Sequence, residues 1–303
     1  MTALSTTDIV LSSDTATRTR IVSEGRRRWL RFSANKFAFL GAIFCVLLVL
    51  AAVLAPWIAP YPYDKVDYSN IFAPPGTAGH LLGTDNLGRD VLSRLLFSLR
   101  TALMIAFAAE LAALVLALAI GLAAGYLGGR VDQLLMAGTD IMFAFPSYLF
   151  AVILVTVLGR SDGAVIIAIA VGSWVNQARL IRAQVIKMKV QEYVEAGRAM
   201  GASSPTLVLR YILPGAWGPM LVATSFGIPA AIMAESGLAL LGLGVAPPTP
   251  SWGTMIIEGY GQLFNAPYLI LAPLILFALT MLAFTWGGDG LRDAFDVNND
   301  GHA

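Results

Sequence analysis

The stretch FAFLGAIFCVLLVLAAVLAPWI, residues 37–58, contains no charged side chain. About 20 consecutive apolar residues are enough for a helix to cross the hydrocarbon core of a bilayer. A helix also satisfies its own backbone hydrogen bonds, which lipid cannot do. The stretch therefore predicts a membrane-spanning helix. The composition of the whole chain, 57% hydrophobic and 13% charged, makes lipid the expected surroundings of most of it.

Further charge-poor stretches follow along the chain. They cover residues 103–127, 135–158, 164–180, 212–245 and 266–288. Since most of them have the length of a membrane span, we expect an all-α membrane protein with six transmembrane helices within residues 37–296. The fifth span contains Pro214, Pro219 and Pro229, which predict a bent helix, either a gating hinge or a static kink.

Basic residues are distributed unevenly around these spans. An even number of spans places both chain ends on one side of the membrane, and Lys and Arg concentrate on the cytoplasmic side. With both ends inside, 15 of the 20 basic residues lie on the inner side. We therefore expect cytoplasmic termini, with a disordered, basic N-terminal tail at residues 1–36 and a C-terminal tail at residues 297–303. The net charge of +1 argues against a nucleic-acid partner.

The outer segment, residues 59–100, ends in a turn-rich motif followed by a helical pattern. After Gly88-Arg89-Asp90, apolar residues recur at helical spacing from Val91 to Leu99 with polar residues between them. This pattern predicts an amphipathic helix that lies on the outer membrane face.

The inner segment, residues 179–213, separates the fourth and fifth spans. Residues 193–200 have helix-forming composition, and Gly201 suits the end of that helix. Ser204-Pro205 suits the start of a second helix, which we expect to end before Pro214. The segment predicts a compact helix–glycine–helix unit that projects into the cytoplasm.

This inner unit resembles the cytoplasmic signature of ABC importer permeases. The signature is Glu-Ala-Ala, three residues, Gly, nine residues, Ile, one residue, Leu-Pro. Here it reads Glu195-Ala196-Gly197, then Gly201, then residues 211–214 as YILP. The spacing is unbroken. Gly197 stands in place of Ala, and Tyr211 in place of Ile, which alters local helix stability and one packing contact.

Further motifs narrow the resemblance to the second permease of dipeptide, oligopeptide and nickel importers, over residues 30–296. They are HLLGTD at 80–85, GRDVLSR at 88–94, GYLGG at 125–129, AFP at 144–146, ES at 235–236, LGLGV at 241–245, PSWG at 250–253 and GDGLRDA at 288–294. The resemblance implies a type I ABC importer permease fold in the bacterial inner membrane. It also implies a heterodimer with a related permease, two cytoplasmic ATPases and an extracytoplasmic substrate-binding protein.

The resemblance also implies roles for particular residues. Those expected to couple to the ATPase are Glu192, Tyr193, Glu195, Ala196, Gly197, Arg198, Gly201, Ala202, Leu213 and Pro214. Those of the outer-loop motif are Gly83, Thr84, Asp85, Gly88, Arg89, Asp90 and Arg94. Candidates for the pathway or its gate are Asp140, Pro146, Glu235 and Ser236.

No residue pattern predicts catalysis by this chain. It contains no G-x-x-x-x-G-K-[ST] phosphate-binding loop and no catalytic Ser, His and Asp arrangement. Its single cysteine and two histidines lack the spacing of a metal site. We therefore expect no cofactor on this chain, and ATP and Mg on the partner ATPases. The expected cargo is a di- or oligopeptide, with nickel chelates and oligosaccharides as alternatives.

Three carboxylates fall within or near the apolar stretches: Glu110, Asp140 and Glu235. A charge inside a bilayer costs about 2.5–3.5 kcal/mol, so each should face the protein interior, water or a partner. Asp140 and Glu235 lie in the matched motifs and could form structural contacts or line the pathway, whereas we interpret Glu110, outside any motif, as a helix-interface residue or a neutral one. The rival functions are an ion-coupled secondary transporter that relays protons or ions through these carboxylates, and a structural scaffold subunit.

Overall fold

The computed structural model describes residues 29–30 and 32–295, so most of the predicted N-terminal tail and all of residues 297–303 lie outside the described residues. The secondary structure of the described part is helical, with two isolated β-bridges in the outer loop. We number the helices α1 Lys36–Ile58, α2 Val91–Leu127, α3 Gly129–Ala144, α4 Ser147–Leu158, α5 Asp162–Met188, α6 Glu192–Ala199, α7 Ser204–Leu240, α8 Trp252–Tyr260 and α9 Tyr268–Phe295.

Five of these helices, α1, α2, α5, α7 and α9, are long and apolar enough to cross a membrane. Helices α3 and α4 meet at an angle of 85° and form a sixth span if they are counted as one. The prediction of six spans is therefore confirmed, but the third is broken where we expected a continuous helix. Pro146 lies at the break, because helical geometry is unfavourable for the residue before a proline, and Phe145 accordingly has φ −85° and ψ 134°.

Helices α2 and α5 pack closely along their length and meet through small residues. A Cβ atom added at Gly121 would lie 2.7 Å from the backbone oxygen of Ala178. One added at Gly125 would lie 2.7 Å from Cβ of Val185. Glycines allow helix backbones to approach closely, and this packing holds helices together in lipid.

Helix α2 corrects the prediction for the outer segment. Residues 91–99 do not form a separate helix on the membrane surface, because they are the first turns of the 37-residue α2. At 1.5 Å per residue, α2 is roughly 55 Å long and extends well beyond a hydrocarbon core. Its projecting end is buried against α8 and the start of α9, where Val91 and Leu95 pack with Met255 and Leu269.

Helix α7 corrects the prediction for the inner segment. The helix that begins at Ser204 does not end before Pro214 but continues into the fifth span. Residues Leu207–Ile212 form a π-helical segment just before the proline. A π-helical segment shifts the hydrogen-bond register, so the helix can continue although the proline has no N–H to donate. The span then ends at Leu240, earlier than the predicted residue 245.

The contact between α2 and α5 can be tested with two matched substitutions. Gly125→Ala places a methyl group against the stiff side chain of Val185, so we expect it to lower the free energy of unfolding by about 1–3 kcal/mol. Gly138→Ala is the control, because no atom lies near a Cβ there and alanine favours a helix. Thermal unfolding of the purified proteins measures both effects. Equal midpoints would contradict the proposed packing role of Gly125.

Candidate functional site

One face of helix α6 is exposed, and its opposite face is buried against an apolar cluster. Val194 is fully buried and belongs to the same apolar cluster as Leu207 and Ile212 of α7. The predicted coupling residues on the exposed face are Glu192, Tyr193, Glu195, Ala196 and Arg198. Glu195 and Arg198 form an exposed ion pair of 2.7 Å.

Helix α6 ends just before Gly201, as the sequence predicted. Gly201 has φ +85°, a conformation that favours glycine. The Gly201 N–H donates to the Arg198 carbonyl at 3.0 Å, and the Ala202 N–H donates to the Gly197 carbonyl at 3.1 Å. This hydrogen-bond pattern is a Schellman motif, which ends a helix and reverses the chain. Of the remaining predicted coupling residues, Ala202 and Leu213 pack against the apolar cluster beneath α6, and Pro214 lies in the first turn of α7's α-helical part.

The two departures from the permease signature contact each other. A Cβ atom at position 197 would lie 3.1 Å from Cε1 and 3.2 Å from Cζ of Tyr211. The absence of a side chain at Gly197 therefore makes room for the larger ring at position 211. The Leu207 side chain closes the same space, since its Cδ2 would lie 3.2 Å from that Cβ atom.

Helix α6 is connected to three spans at its base. The Tyr193 hydroxyl lies 3.6 Å from Sδ of Met188, the last residue of α5. A Cβ atom at Gly215, in the first turns of α7, would lie 2.8 Å from the same sulfur. Lys189 Nζ donates to the Gly125 carbonyl near the end of α2 at 2.8 Å. A displacement of α6 would therefore act on α5 and α7 through Met188, and on α2 only through Lys189, which follows the last residue of α5.

The outer-loop motif folds around a buried carboxylate, Asp85. Arg89 Nε donates to Asp85 Oδ2 at 2.7 Å, and Arg94 Nη1 also contacts this oxygen. Arg94 Nη1 pairs with Glu258 of α8 at 2.7 Å as well. Glu258 was missed by sequence analysis, since it lies 164 positions from Arg94 and belongs to no motif. The four residues attach the outer loop to the start of α2 and to α8.

A second carboxylate, Asp90, begins helix α2. Asp90 Oδ2 accepts hydrogen bonds from the backbone N–H and hydroxyl of Ser93, both at 2.8 Å. Its Oδ1 lies 3.0 Å from Nδ1 of His80. Asp90 is thus the N-cap of α2 and holds the outer loop against it.

The turns of the outer loop need two of the predicted glycines and one threonine. Gly83 has φ +77° and Gly88 has φ +72°, and a Cβ at Gly88 would overlap the backbone oxygen of Asp67. The hydroxyl of Thr84 accepts from the Ala73 N–H at 2.8 Å.

Hydrogen bonds to the Asp67 carboxyl, the first of them from the Ser69 hydroxyl, lower the pKa of this carboxyl to about 2.

A cavity of about 500 Å³ lies between α2, α4, α5 and α7. Polar groups reach it from three helices: Glu110 from α2, Ser147 and Tyr148 from α4, and Ser173, Asn176 and Gln177 from α5. Apolar residues and glycines of α4, α5 and α7 line the rest, among them Ile169, Leu180 and Phe226. Glu110 is 3% exposed and its Oε1 accepts from Gln177 Nε2 at 2.5 Å.

The structure separates the predicted pathway candidates. Asp140 is exposed and pairs with Arg179 at 2.7 Å, and Pro146 forms the break before α4. Glu235 is fully buried beside Ser236, 3.3 Å from its hydroxyl, and neither lines the cavity. Glu110, which we interpreted as an interface residue, contacts Gln177 across the α2–α5 interface and also lines the cavity. Among the described residues, each of the three membrane carboxylates has a different partner: Gln177 for Glu110, Arg179 for Asp140 and Ser236 for Glu235.

The buried outer cluster predicts a large stability effect. Asp85→Asn removes the buried charge shared by Arg89 and Arg94, and we expect a loss of about 3–5 kcal/mol because the two buried arginines then share only the half-exposed carboxylate of Glu258. Asp140→Asn is the control, since its side chain is 66% exposed against 4% for Asp85, and we expect about 0–1 kcal/mol. Denaturation of the two purified variants tests this; similar losses would contradict the ion-pair role of Asp85.

The contact between Gly197 and Tyr211 can be measured by a double-mutant cycle. We expect Gly197→Ala to be more favourable in a Tyr211→Ile background than in the wild type, by about 0.5–3 kcal/mol, because the smaller side chain leaves space for the methyl group. Thermal unfolding of the wild type, both single variants and the double variant gives this difference. Additive effects would show that the two residues are independent.

Two family models match the chain. Residues 117–297 match the family described as "Binding-protein-dependent transport system inner membrane component". Residues 23–75 match the "N-terminal TM domain of oligopeptide transport permease C". Together they cover α1, the start of the outer loop, the last part of α2 and all later helices, whereas Glu110 lies in the stretch between the two matches.

Similar proteins include permeases and one solved transporter. The chain is 39% identical over 267 residues to the oligopeptide transport system permease protein OppC of Bacillus subtilis (strain 168), covering 88% of this chain and 87% of OppC. It is 41% identical over 269 residues to the glutathione transport system permease protein GsiD of Shigella dysenteriae serotype 1 (strain Sd197), covering 88% of each.

An inward-facing structure of the MetNI methionine ABC transporter aligns with a TM-score of 0.51 and 19% identity, covering 66% of this chain and 96% of that chain, which supports the fold alone. The matched residues 117–297 make up more than half of the chain, and both relatives align along most of their length. The chain therefore belongs to the family of inner-membrane components of binding-protein-dependent transport systems, as a multi-pass permease subunit of an ABC importer rather than an enzyme.

Proposed function

We propose that this permease forms half of the translocation pathway of an ATP-driven importer of di- or oligopeptides. Coupling to the ATPase is supported by the geometry of α6: one of its faces is exposed, and the other packs against α5 and α7. The peptide part is supported by the names of two similar permeases, one for oligopeptides and one for glutathione, itself a tripeptide.

The other half of the pathway in this proposal is a second, related permease. Two cytoplasmic ATPases bind ATP and Mg, and a substrate-binding protein delivers the peptide from outside. Because each ATPase lies outside the bilayer, a short rigid element has to transmit its movement to the spans. Helix α6 fits this task, because Val194 anchors it while Glu192, Glu195 and Ala196 remain exposed.

The proposed orientation places both termini and α6 in the cytoplasm. Several contacts bring these parts to one end of the molecule: Asn35, before α1, donates to Asp293 of α9 at 3.2 Å. A Cβ atom at Gly218, early in the α-helical part of α7, would lie 2.7 Å from Phe295. The excess of basic residues at this end then supports the cytoplasmic side.

The cargo can be identified directly. The permease is expressed with its partner permease, ATPases and binding protein, and the ligand that co-purifies with the binding protein is analysed by mass spectrometry. We expect a peptide. A nickel chelate or an oligosaccharide would overturn the peptide assignment while leaving the importer intact. Uptake into proteoliposomes by this chain alone, driven by an ion gradient, would instead support a secondary transporter.

The coupling role of α6 predicts an uncoupled variant. Ala196→Arg adds a long charged side chain to the exposed face, where a docked ATPase would have to bury it unpaired. We expect ATP-driven peptide uptake in proteoliposomes to fall at least about tenfold, a loss of about 1.4 kcal/mol or more. The thermal midpoint of the purified variant should be unchanged, since position 196 faces outward. Unchanged uptake would contradict docking on this face and favour a scaffold role.

A further inference from the structure

Glu110 is a buried carboxylate whose charge no basic side chain in the cavity wall balances. It lies near the middle of α2, where an uncompensated charge is expensive. Among the described residues that line the cavity, Glu110 is the only carboxylate and there is no lysine, arginine or histidine. A positively charged group that enters the cavity would therefore gain a favourable contact with this carboxylate.

The hydrogen bonds around Glu110 leave acceptors without donors. Gln177 Nε2 donates to Glu110 Oε1, but no described group donates to Glu110 Oε2. The oxygen of the same amide, Gln177 Oε1, is buried and has no hydrogen-bond partner among the described residues. The whole Gln177 residue is 8% exposed. A buried acceptor that stays unpaired costs about 1–3 kcal/mol. Both free acceptors belong to residues of the cavity wall.

Gly227 of α7 makes this arrangement possible. A Cβ atom at this position would lie 2.2–2.4 Å from the three carboxyl atoms of Glu110. The carboxylate is thus held directly against the α7 backbone. Glu235, the other buried carboxylate of the spans, has a serine hydroxyl next to it and does not line the cavity. Of these two buried carboxylates, Glu110 is the one whose side chain meets the space that a ligand could occupy.

An ammonium group is the complement of such a site, because it carries a positive charge and three N–H donors but no acceptor. The cavity, about 500 Å³, has the size of small-ligand sites in proteins, and its alanines and Phe226 offer apolar contacts beside the polar pair. We propose that Glu110 and Gln177 bind the α-ammonium group of the transported peptide inside the membrane. This assignment rests on the proposed peptide cargo and names the part of the peptide that the permease itself recognises.

Accessibility of a single cysteine tests the proposal without the binding protein. Cys45, the one cysteine of the chain, is replaced by Ala, and Ala230→Cys places a reporter in the cavity wall. The permease–ATPase complex in nanodiscs is labelled with a maleimide in the presence of tri-alanine or N-acetyl-tri-alanine. We expect tri-alanine to slow labelling at a concentration about tenfold lower than the acetylated peptide, the size of one charge-assisted hydrogen bond.

Variants of the site distinguish charge recognition from a structural role. Glu110→Gln should abolish the difference between the two peptides, and Glu110→Asp, which keeps the charge, should retain it. Gln177→Leu should reduce it by removing the second acceptor. Glu235→Gln is the matched control and should preserve the full difference, because Glu235 does not line the cavity.

The outcomes separate this proposal from that of the function. Equal protection by the two peptides, no protection by either, or a difference that persists in Glu110→Gln would overturn the ammonium site. Failure of the complete transporter to take up tri-alanine would overturn the peptide function instead. Monodisperse elution of each complex establishes that a lost difference does not come from unfolding.

Discussion

Two glycines, Gly121 and Gly125, set the distance between α2 and α5, because a methyl group at either position would collide with the facing helix. Helices in lipid gain little from the hydrophobic effect and depend on close packing and polar bridges. The same two helices are bridged by Glu110 and Gln177 in the membrane and by Lys189, which donates to the Gly125 carbonyl, at the inner end. The cavity wall and the base of α6 are therefore parts of one helix pair, and a change in its spacing would alter both.

Force on α6 can reach the cavity through short contacts. Met188 lies between Tyr193 of α6 and Gly215 of α7, so the ends of α5 and α7 are in contact with α6 at the same point. Helices α5 and α7 also line the cavity. The π-helical segment Leu207–Ile212 is a place where α7 can change its hydrogen bonds, since such segments interrupt the regular helical ladder. Rigid contacts at α6 and an adaptable segment in α7 are the elements that coupling between an ATPase and a gate requires.

The sequence predicts those features that depend on local chemistry. The spans follow from apolar length, and the turn at Gly201 follows from the conformational freedom of glycine. The extension of α2 could not be predicted, because Arg94 is buried only where Asp85 and Glu258 come together, and Glu258 is 164 positions away from Arg94. The break at Pro146 was visible in the residues, but an apolar run of the length of a span indicates one helix as readily as two bent segments.

The carboxylates show that membership in a family motif does not predict which side chain lines the cavity. Glu235 lies in a motif, yet it is buried beside Ser236 outside the cavity, whereas Glu110 lies in no motif and lines it. Helical spacing cannot indicate which side of α2 faces the cavity, because that depends on a glycine in α7 that leaves room for the carboxylate. Gly197 and Tyr211 are a second example. Each departs from the signature, and the two positions are close enough that the size of one side chain limits the other. In a helical membrane protein, a polar or unusual residue is therefore best interpreted together with the small residue that faces it.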